Sequence, residues 1–361
     1  MGQGNKKIQK ILFDCERMKY PHTGLYHFCL QLGHALMRNM NKAEEDISFY
    51  MPAAAGKVFG DAAKYIPQNS LHKFLFPSIS SFDIWHSTYQ GSNYIPSDTH
   101  IKEVLTIHDL NFLYEHSERS EKIKRSLKKI QKQIDRADSI CTISEYVKSD
   151  VQKNLNLRGK PIEVVYNGCN LLQIENLQPP QLLPSQPFLF TIGTVISKKN
   201  FHVLPALLYG NDLVLVISGI ILQEEYKDKI KEEAVKYNVQ DRVVFTGPVS
   251  DNDKEWYLKN CEAFVFPSIA EGFGLPVIEA MSFGKPVFLS TATSLPEIGG
   301  DLAYYFQSFD ADDMLQTFHN GMNHYKEKKP AAAIRERAAA FSWDNSAKQY
   351  IGIYKRLLQT I

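Results

Sequence analysis

The feature that most constrains the fold is an alternation of short apolar runs with longer amphipathic segments, which occurs twice along 361 residues. Such an alternation is typical of βαβ units and parallel sheets. In the first half we predict strands at 11–13, 47–50, 83–86, 104–107, 139–142 and 163–166, with helices at 25–38 and 120–136. In the second half we predict strands at 188–192, 213–218, 243–245, 263–266 and 287–289.

A proline-rich polar stretch from Gln178 to Pro187 separates the two halves and cannot easily join a helix or a sheet. The chain is also too long for one ordinary hydrophobic core. We therefore predict an α/β protein with domains at 1–175 and 188–344, a linker at 176–187 and a C-terminal amphipathic helix at 345–361. Ligands of open α/β sheets bind beyond the carboxyl ends of the strands, so the loops after the strands carry the candidate sites.

Composition excludes several classes of protein. Apolar residues make up 44% of the chain and charged residues 22%, with a formal net charge of +1. This charge offers no overall field for nucleic acid, so we expect no nucleic-acid partner. The five cysteines form no Cys-x-x-Cys pair, which argues against disulfides or structural zinc and favours a reducing cytosol. No stretch approaches the ~20 apolar residues that span a bilayer, so we predict a cytoplasmic protein or one on a membrane surface.

The most informative segment runs from 266 to 281. Gly272 and Gly274 allow unusual backbone torsions, and Pro276 suits the first turn of a helix predicted at 276–283. The free N–H groups and dipole of such a helix start bind anions. Glu279 is costly inside this apolar helix unless it has a partner, and a ribose diol would supply one. The alternatives are that Glu279 faces solvent and that Glu271 is a helix-cap acid.

The motif resembles a known family. Glu271 and Glu279 enclose G-F-G-L-P-V-I and are followed by A-M-S-F-G-K-P-V, a pattern similar to that of the retaining family 4 glycosyltransferases. The stretches V-V-F-T-G at 243–247 and S-L-P-E-I-G-G-D at 294–301 extend the resemblance. It implies the GT-B architecture, with two facing Rossmann-like domains, a deep interdomain cleft and a C-terminal helix that crosses back to the first domain.

A second candidate is the stretch G-T-V-I-S-K-K-N at 193–200, directly after a predicted strand. Lys198 and Lys199 are suited to offset the charge of a nucleotide diphosphate, although a solvated turn is the alternative. The stretch resembles the family's G-T-x-x-x-R-K-N motif, with Lys199 at the family lysine, Lys198 in place of arginine and Thr194 where many members carry another arginine.

The resemblance implies the remaining donor contacts. The base pocket would lie near Val249 and Lys254, and Glu279 would hold the ribose. The sugar would be bound by Glu271, Gly272, Phe273, Gly274 and Leu275.

The first half supplies the predicted acceptor side and one predicted donor-binding residue, Gly24. Gly24 follows the first strand and opens a helix, where it could approach a phosphate closely, although a turn glycine is the alternative. His108 and Asp109 end another strand, and the resemblance implies that His108 contributes to catalysis near the sugar. We also expect His86 to help shape the acceptor pocket. Further strand-end residues are Ser87, Ser144, Glu145, Asn167 and Gly168.

The segment 117–136 is rich in lysine and arginine, with apolar residues at helical spacing. A basic amphipathic helix can lie on anionic lipid at the inner membrane face, and a packed helix with a solvated basic face is the alternative. If it lies on lipid, the acceptor would be a polyprenyl-linked glycan.

These observations predict a retaining hexosyltransferase of polysaccharide biosynthesis, with mannose from GDP-mannose favoured over UDP-sugars, and with His108, Glu271 and Lys199 in catalysis. We expect no cofactor and no essential metal, because Asp251-Asn252-Asp253 and Asp310-Ala311-Asp312 are better interpreted as loop or helix-cap acids. An epimerase or phosphorylase of the same architecture and a non-catalytic sugar-nucleotide-binding protein remain alternatives.

Overall fold

The computed structural model describes residues 8–21, 23–115, 121–170, 174–184 and 186–359. It divides into two compact units, the first formed by residues 1–168 with 342–361 and the second by residues 169–341. Residues 176–184 and 186–187 of the predicted linker belong to the second unit. Gln178 there exchanges two hydrogen bonds with Asn252, and Tyr257 donates a third to the carbonyl of Leu182.

The described part of the first unit contains a parallel sheet with the order β3-β2-β1-β4-β5-β6-β7. The strands are β1 Gln9–Asp14, β2 Glu45–Pro52, β3 Lys64–Gln68, β4 Ile84–Ser87, β5 Lys102–Ile107, β6 Ser139–Thr142 and β7 Ile162–Val164. The helices are α1 Gly24–Asn39, α2 Phe112–Glu115, α3 Glu121–Arg136 and α4 Glu145–Asn154. Strands β4 and β6 are buried throughout, as expected where helices cover both faces of a parallel sheet.

The second unit, over its described residues, has a parallel sheet with the order β10-β9-β8-β11-β12-β13. The strands are β8 Phe188–Ile192, β9 Val214–Ser218, β10 Val243–Gly247, β11 Ala263–Phe266, β12 Val287–Ser290 and β13 Tyr304–Phe306. The helices are α5 Glu224–Lys236, α6 Asp251–Asn260, α7 Leu275–Ser282, α8 Leu295–Gly299, α9 Ala311–Lys328 and α10 Ala331–Ala339. The α/β fold class is therefore confirmed in both units.

The order of strands reverses once in each sheet, between β1 and β4 in the first unit and between β8 and β11 in the second. At such a point the loops from neighbouring strands leave in opposite directions and open a crevice beyond the carboxyl ends of the strands. Each unit therefore offers one preferred position for a ligand, and the loops after these four strands are the first places to look for it.

The last helix, α11 Trp343–Gln359, belongs to the first unit and packs against α1. This confirms the expected return of the C-terminal helix. His86 joins this helix to the sheet, because its Nδ1 lies 2.7 Å from the Tyr354 hydroxyl and its Nε2 lies 2.8 Å from Thr106 Oγ1. Thr106 Oγ1 also lies 2.9 Å from the Tyr350 hydroxyl.

The expectation that His86 shapes an acceptor pocket is wrong. His86 is fully buried, and both of its ring nitrogens are hydrogen-bonded within the first unit. Burial lowers its pKa to about 3, so the ring is neutral. Among the described residues, no helix is long and apolar enough to cross a membrane.

Candidate active site

The loops after β8 and β11 meet at the strand-order reversal of the second unit. The Lys198 carbonyl accepts hydrogen bonds from the Ile269 N–H at 2.9 Å and from Ser268 Oγ at 3.2 Å. These bonds tie the lysine-containing loop to the loop that carries Glu271. The two segments singled out in the sequence therefore lie side by side.

Lys199 and Glu271 form an ion pair in which the Lys199 ammonium donates to Glu271 Oε1. Each side chain is only 14% exposed, and the ammonium lies 5.0 Å from the centroid of the Phe266 ring. The Glu271 N–H donates to Thr293 Oγ1 at 3.0 Å, which fixes the backbone of the acid. A cation and an acid thus lie together at the carboxyl ends of the central strands.

Glycine is required where the backbones of the β8 and β9 loops approach each other. Gly219 has a φ of +134°, and a Cβ atom at this position would overlap the carbonyl oxygen of Gly193. The Gly219 N–H donates to the Gly247 carbonyl at 2.9 Å. The loops after β8 and β9 therefore pack backbone against backbone, too closely for a side chain at 219.

The start of α7 is built as the sequence predicts, with one correction. Gly274 precedes the helix with a φ of +107°, and Pro276 lies in its first turn. Ser294 Oγ donates to the carbonyls of Phe273 at 3.0 Å and Glu271 at 3.2 Å, which holds the loop beneath the helix start. Gly272 does not take a left-handed torsion, so Gly274 alone is required by the backbone of this loop.

Glu279 finds its partner inside the second unit. Its Oε1 lies 3.2 Å from the Lys254 ammonium, and the two side chains are 5% and 12% exposed. Burial raises the pKa of Glu279, and Lys254 opposes that rise. Burial alone would lower the pKa of Lys254, but Glu279 and Asp251 raise it above its ordinary value, so Lys254 stays protonated. Val249 is half-buried in the loop before α6, the helix that carries Lys254.

His108 directly follows β5 in the first unit and is 7% exposed. Its Nε2 lies 2.7 Å from the Thr88 carbonyl, which can only accept a hydrogen bond, so Nε2 carries the proton. The rings of Phe28 and His108 pack nearly at right angles, with their centroids 4.6 Å apart. Burial lowers the pKa of His108 to about 4. The ring is therefore neutral at pH 7, and Nδ1 is the nitrogen that can accept a proton or a hydrogen bond.

Gln90 connects the two residues of the His-Asp dipeptide. Its Oε1 accepts the His108 N–H at 3.1 Å, and its Nε2 donates to the Asp109 carbonyl at 2.9 Å. Asp109 Oδ1 accepts the Asn111 N–H at 3.0 Å, as in a turn stabilised by its own side chain. Asp109 thus shapes the loop behind His108.

A group of charged residues at the end of β1 and directly after it was not predicted from the sequence. Asp14 is fully buried, and its Oδ1 accepts the Glu16 N–H at 2.9 Å, whereas Oδ2 has no partner among the described residues. Burial raises the pKa of both Asp14 and Glu16. The Arg17 guanidinium lies between the rings of Tyr20 and Tyr89, 4.7 Å and 4.6 Å from their centroids. Their position at the end of the first predicted strand was the signal that could have revealed them.

Gly24 is the first residue of α1, and a Cβ atom there would meet nothing within 4 Å. The packing of the chain therefore does not require glycine at this position, and its approach to a phosphate stays a prediction.

Two strand-end residues have structural roles. Ser144 caps α4 by accepting the Val147 N–H at 3.1 Å. Gly168 leaves room for the backbone of Trp343 at the start of α11.

Both Asp-x-Asp sequences lie at helix starts. Asp251 and Asp253 are in the first turn of α6, and Asp310 immediately precedes α9. Over the described ranges, no three His, Cys, Asp or Glu side chains are grouped so that they could hold a metal ion. The expectation of a metal-independent reaction stays a prediction.

Both halves of the chain match known protein families. Residues 57–172 match the model described as "Glycosyltransferase Family 4", and residues 173–338 match "Glycosyl transferases group 1". The chain is 26% identical to the O-antigen chain mannosyltransferase B of Escherichia coli, across 96% of this chain and all of that protein. It is 27% identical to the O-antigen chain mannosyltransferase RfbU of Salmonella typhimurium, across 69% of this chain and 68% of the relative.

Among solved structures, a glycosyltransferase from Rickettsia africae shares the fold. It superimposes with a TM-score of 0.76 across 98% of this chain and all of the other, at 17% identity. Both units are thus Rossmann-like domains of the GT-B fold, and the matched models meet near the end of the first unit. With its two motif loops side by side at the strand-order reversal of the second unit, the chain belongs to the family 4 glycosyltransferases and is a glycosyltransferase similar to bacterial mannosyltransferases.

Proposed function

We propose that this glycosyltransferase moves mannose from GDP-mannose, with retention of configuration, to a hydroxyl group of a glycan or lipid-linked glycan in polysaccharide assembly. The observation that carries the proposal is the pairing of Lys199 with Glu271 at the β8–β11 reversal, beside the start of α7. The choice of mannose is supported by two relatives that are named as mannosyltransferases.

Lys198, Lys199 and the first N–H groups of α7 would stabilise the diphosphate as it leaves. Charge develops on the phosphate oxygens as the bond to the anomeric carbon breaks, and fixed cations or N–H donors lower the energy of that state. A bound diphosphate would compete with Glu271 for the Lys199 ammonium. Glu271 would then be released to accept hydrogen bonds from the sugar hydroxyls.

Glu279 would bind the ribose of the nucleotide. An ionised carboxylate accepts two hydroxyl donors well, and Lys254 keeps a compensating charge 3.2 Å from Glu279. Val249, in the loop before α6, would contribute to the pocket of the base. The ion pair with Lys254 would thus keep the Glu279 carboxylate available for the ribose in an otherwise apolar helix.

The first unit would bind the acceptor. Arg17 offers N–H donors between two tyrosine rings, and His108 offers Nδ1 as a neutral acceptor for a hydroxyl. Since its pKa is about 4, His108 is not a source of protons at pH 7. In the front-face route, the acceptor oxygen bonds to the anomeric carbon while its proton passes to the departing phosphate.

We further propose that the reaction needs no metal, and that the basic helix α3 contacts the inner membrane face. Lys122, Lys124, Arg125, Lys128 and Lys132 are exposed on this helix. Residues 117–120 of the predicted basic segment lie outside the described residues.

Calorimetric titration with GDP, UDP, GDP-mannose and UDP-sugars, with a chelator present, tests the donor assignment. We expect micromolar binding of GDP and GDP-mannose and its loss in Glu279→Ala, while the exposed control Glu262→Ala binds like the wild type. Binding of UDP alone would replace guanosine by uridine in the proposal. Binding without transfer to any glycan would favour a non-catalytic protein.

The anomeric configuration of the product, read by NMR, tests retention.

A further inference from the structure

A short turn in the first unit holds three large apolar side chains in solvent. Leu71, Phe74 and Leu75 are 67%, 90% and 80% exposed, and we call them the apolar tip. Single exposed apolar residues are ordinary on a protein surface, but three within five residues form a continuous patch. None of the three is among the proposed donor and acceptor residues.

The turn that carries the apolar tip is held firmly. Asn69 Oδ1 accepts the Leu71 N–H at 3.0 Å, and His72 Nδ1 lies 2.9 Å from the hydroxyl of buried Tyr50. Phe76, directly after the tip, is buried in the core cluster with Tyr50 and Tyr94. Both ends of the turn are therefore tied to the core, so the structure presents the tip outward.

The turn that carries the tip also carries a cation, which contacts a loop that reaches α3. Lys73 lies within the turn, with its ammonium 5.6 Å from the centroid of the Tyr94 ring. The loop of Tyr94 reaches α3, since Gln133 donates to the Ser92 carbonyl at 3.0 Å and Arg136 to the Pro96 carbonyl at 2.6 Å. The same loop exposes Ile95 to 37%.

The side of α3 that contacts this loop continues into a row of basic residues. Lys122, Arg125 and Lys132 stand three, four or seven residues from Lys129, which donates to the Gly91 carbonyl of the same loop. Residues at this spacing share one helix face. All three are exposed, and we call them the cationic stripe.

We infer that the apolar tip inserts into the interfacial layer of an anionic bilayer while Lys73 and the cationic stripe bind lipid phosphates. Apolar side chains beside clustered cations are the combination that holds peripheral proteins on anionic membranes. A second copy of the chain fits less well, because a twofold contact through the tip would bring Lys73 close to its own counterpart. The anchor would serve the proposed function, on which it rests, because a lipid-linked acceptor stays at the bilayer surface.

Co-sedimentation of the full chain with vesicles tests this inference. The vesicles are phosphatidylcholine alone and an equal mixture of phosphatidylcholine and phosphatidylglycerol. We expect binding to the mixed vesicles, a fall of at least about 10-fold for Phe74→Ser/Leu75→Ser, and a fall of about 25-fold for Arg125→Ser/Lys132→Ser. Leu222→Ser, whose side chain is 68% exposed in the second unit, and Lys326→Ser/Lys328→Ser are matched controls that should bind like the wild type.

Equal binding to both kinds of vesicle, or unchanged binding of the tip variant, would overturn the inference. So would sedimentation equilibrium that shows a dimer lost in the tip variant, since the tip would then contact a second copy. GDP binding and the unfolding midpoint, measured on each variant, show that the protein is folded. They also separate a failure of the anchor from a failure of the proposed donor site, because GDP binding requires no membrane.

Discussion

The two units differ in the charge of the candidate residues that lie beyond the carboxyl ends of their strands. In the second unit, Lys199 and Glu271 form a partly buried ion pair in the loops at the strand-order reversal, and Lys254 on α6 forms another with Glu279 on α7. In the first unit, the residue expected to act is His108, whose neutral imidazole is fixed by the Thr88 carbonyl and whose backbone N–H is bound by Gln90. The difference matches the proposed ligands, since a diphosphate donor is charged and acceptor hydroxyls are not.

The two units also differ in how readily their candidate sites can be recognised from sequence. In the second unit, most candidate residues lie in the loops after β8 and β11 and in α7, the helix that follows the second of these loops. The first unit assembles Arg17, Thr88 and His108 from the ends of three strands that are far apart in the chain. If this difference holds, substitutions at the ion pairs of the second unit should lower catalysis and nucleotide binding, whereas changes at the buried histidines of the first unit should lower its stability.

Removal of the Lys199 charge should have the largest effect. We expect Lys199→Met to lower kcat by about 10²–10³-fold, the range seen when one preorganised group that faces developing charge is lost. Transfer of radiolabelled mannose to a glycan acceptor measures the effect, with the exposed Lys259→Met as control. A loss of less than tenfold would place the stabilisation of the leaving group elsewhere.

Glu279→Gln should weaken binding of the nucleotide by about 10- to 100-fold, because it removes a charged acceptor and leaves Lys254 without its nearest counter-charge. Because burial raises the pKa of Glu279, the wild type should lose affinity as the pH falls, at a higher pH than the one at which an exposed glutamate protonates. Calorimetry at a series of pH values measures both effects. Unchanged affinity in the variant would leave Glu279 as a structural partner of Lys254 only.

Acid should destabilise the first unit through its neutral histidines. Burial holds the pKa of His86 at about 3 and that of His108 at about 4, so the folded state binds fewer protons than the unfolded state below pH 6.5. Stability is therefore full above pH 6.5 and falls as the pH decreases, by about 2 kcal/mol for each histidine at pH 5. Hydrogen exchange, followed separately in each unit, measures the loss. Equal loss of protection in the second unit would contradict this origin.

Tyr354→Phe should cost about 1–2 kcal/mol of unfolding free energy, because it leaves one buried ring nitrogen of His86 without its hydrogen bond. Urea denaturation measures this change. GDP binding should be unaffected, since Tyr354 belongs to the first unit and the proposed donor residues Lys199 and Glu279 belong to the second. Loss of GDP binding together with stability would contradict the structural role of His86.

Sequence alone determined the α/β class, most of the strands and the loop and helix around Glu271, because these depend on contacts between near neighbours in the chain. Alternating apolar runs specify parallel strands, and glycine at 274 with proline at 276 specifies a helix start. Strand β3 was missed because Pro67 interrupts its pattern, and a proline is tolerated there since β3 lies at the edge of the sheet.

Only the tertiary structure decided which residues share a site and which are part of the core. The partner of Glu279 proved to be Lys254, which lies on another helix, and His86 proved to hold α11 to the sheet instead of lining a pocket. Arg17 gained its place from Tyr20 and Tyr89, two rings that local sequence does not bring together. Strand order and burial set these distances, and both are properties of the packed chain that no local pattern records.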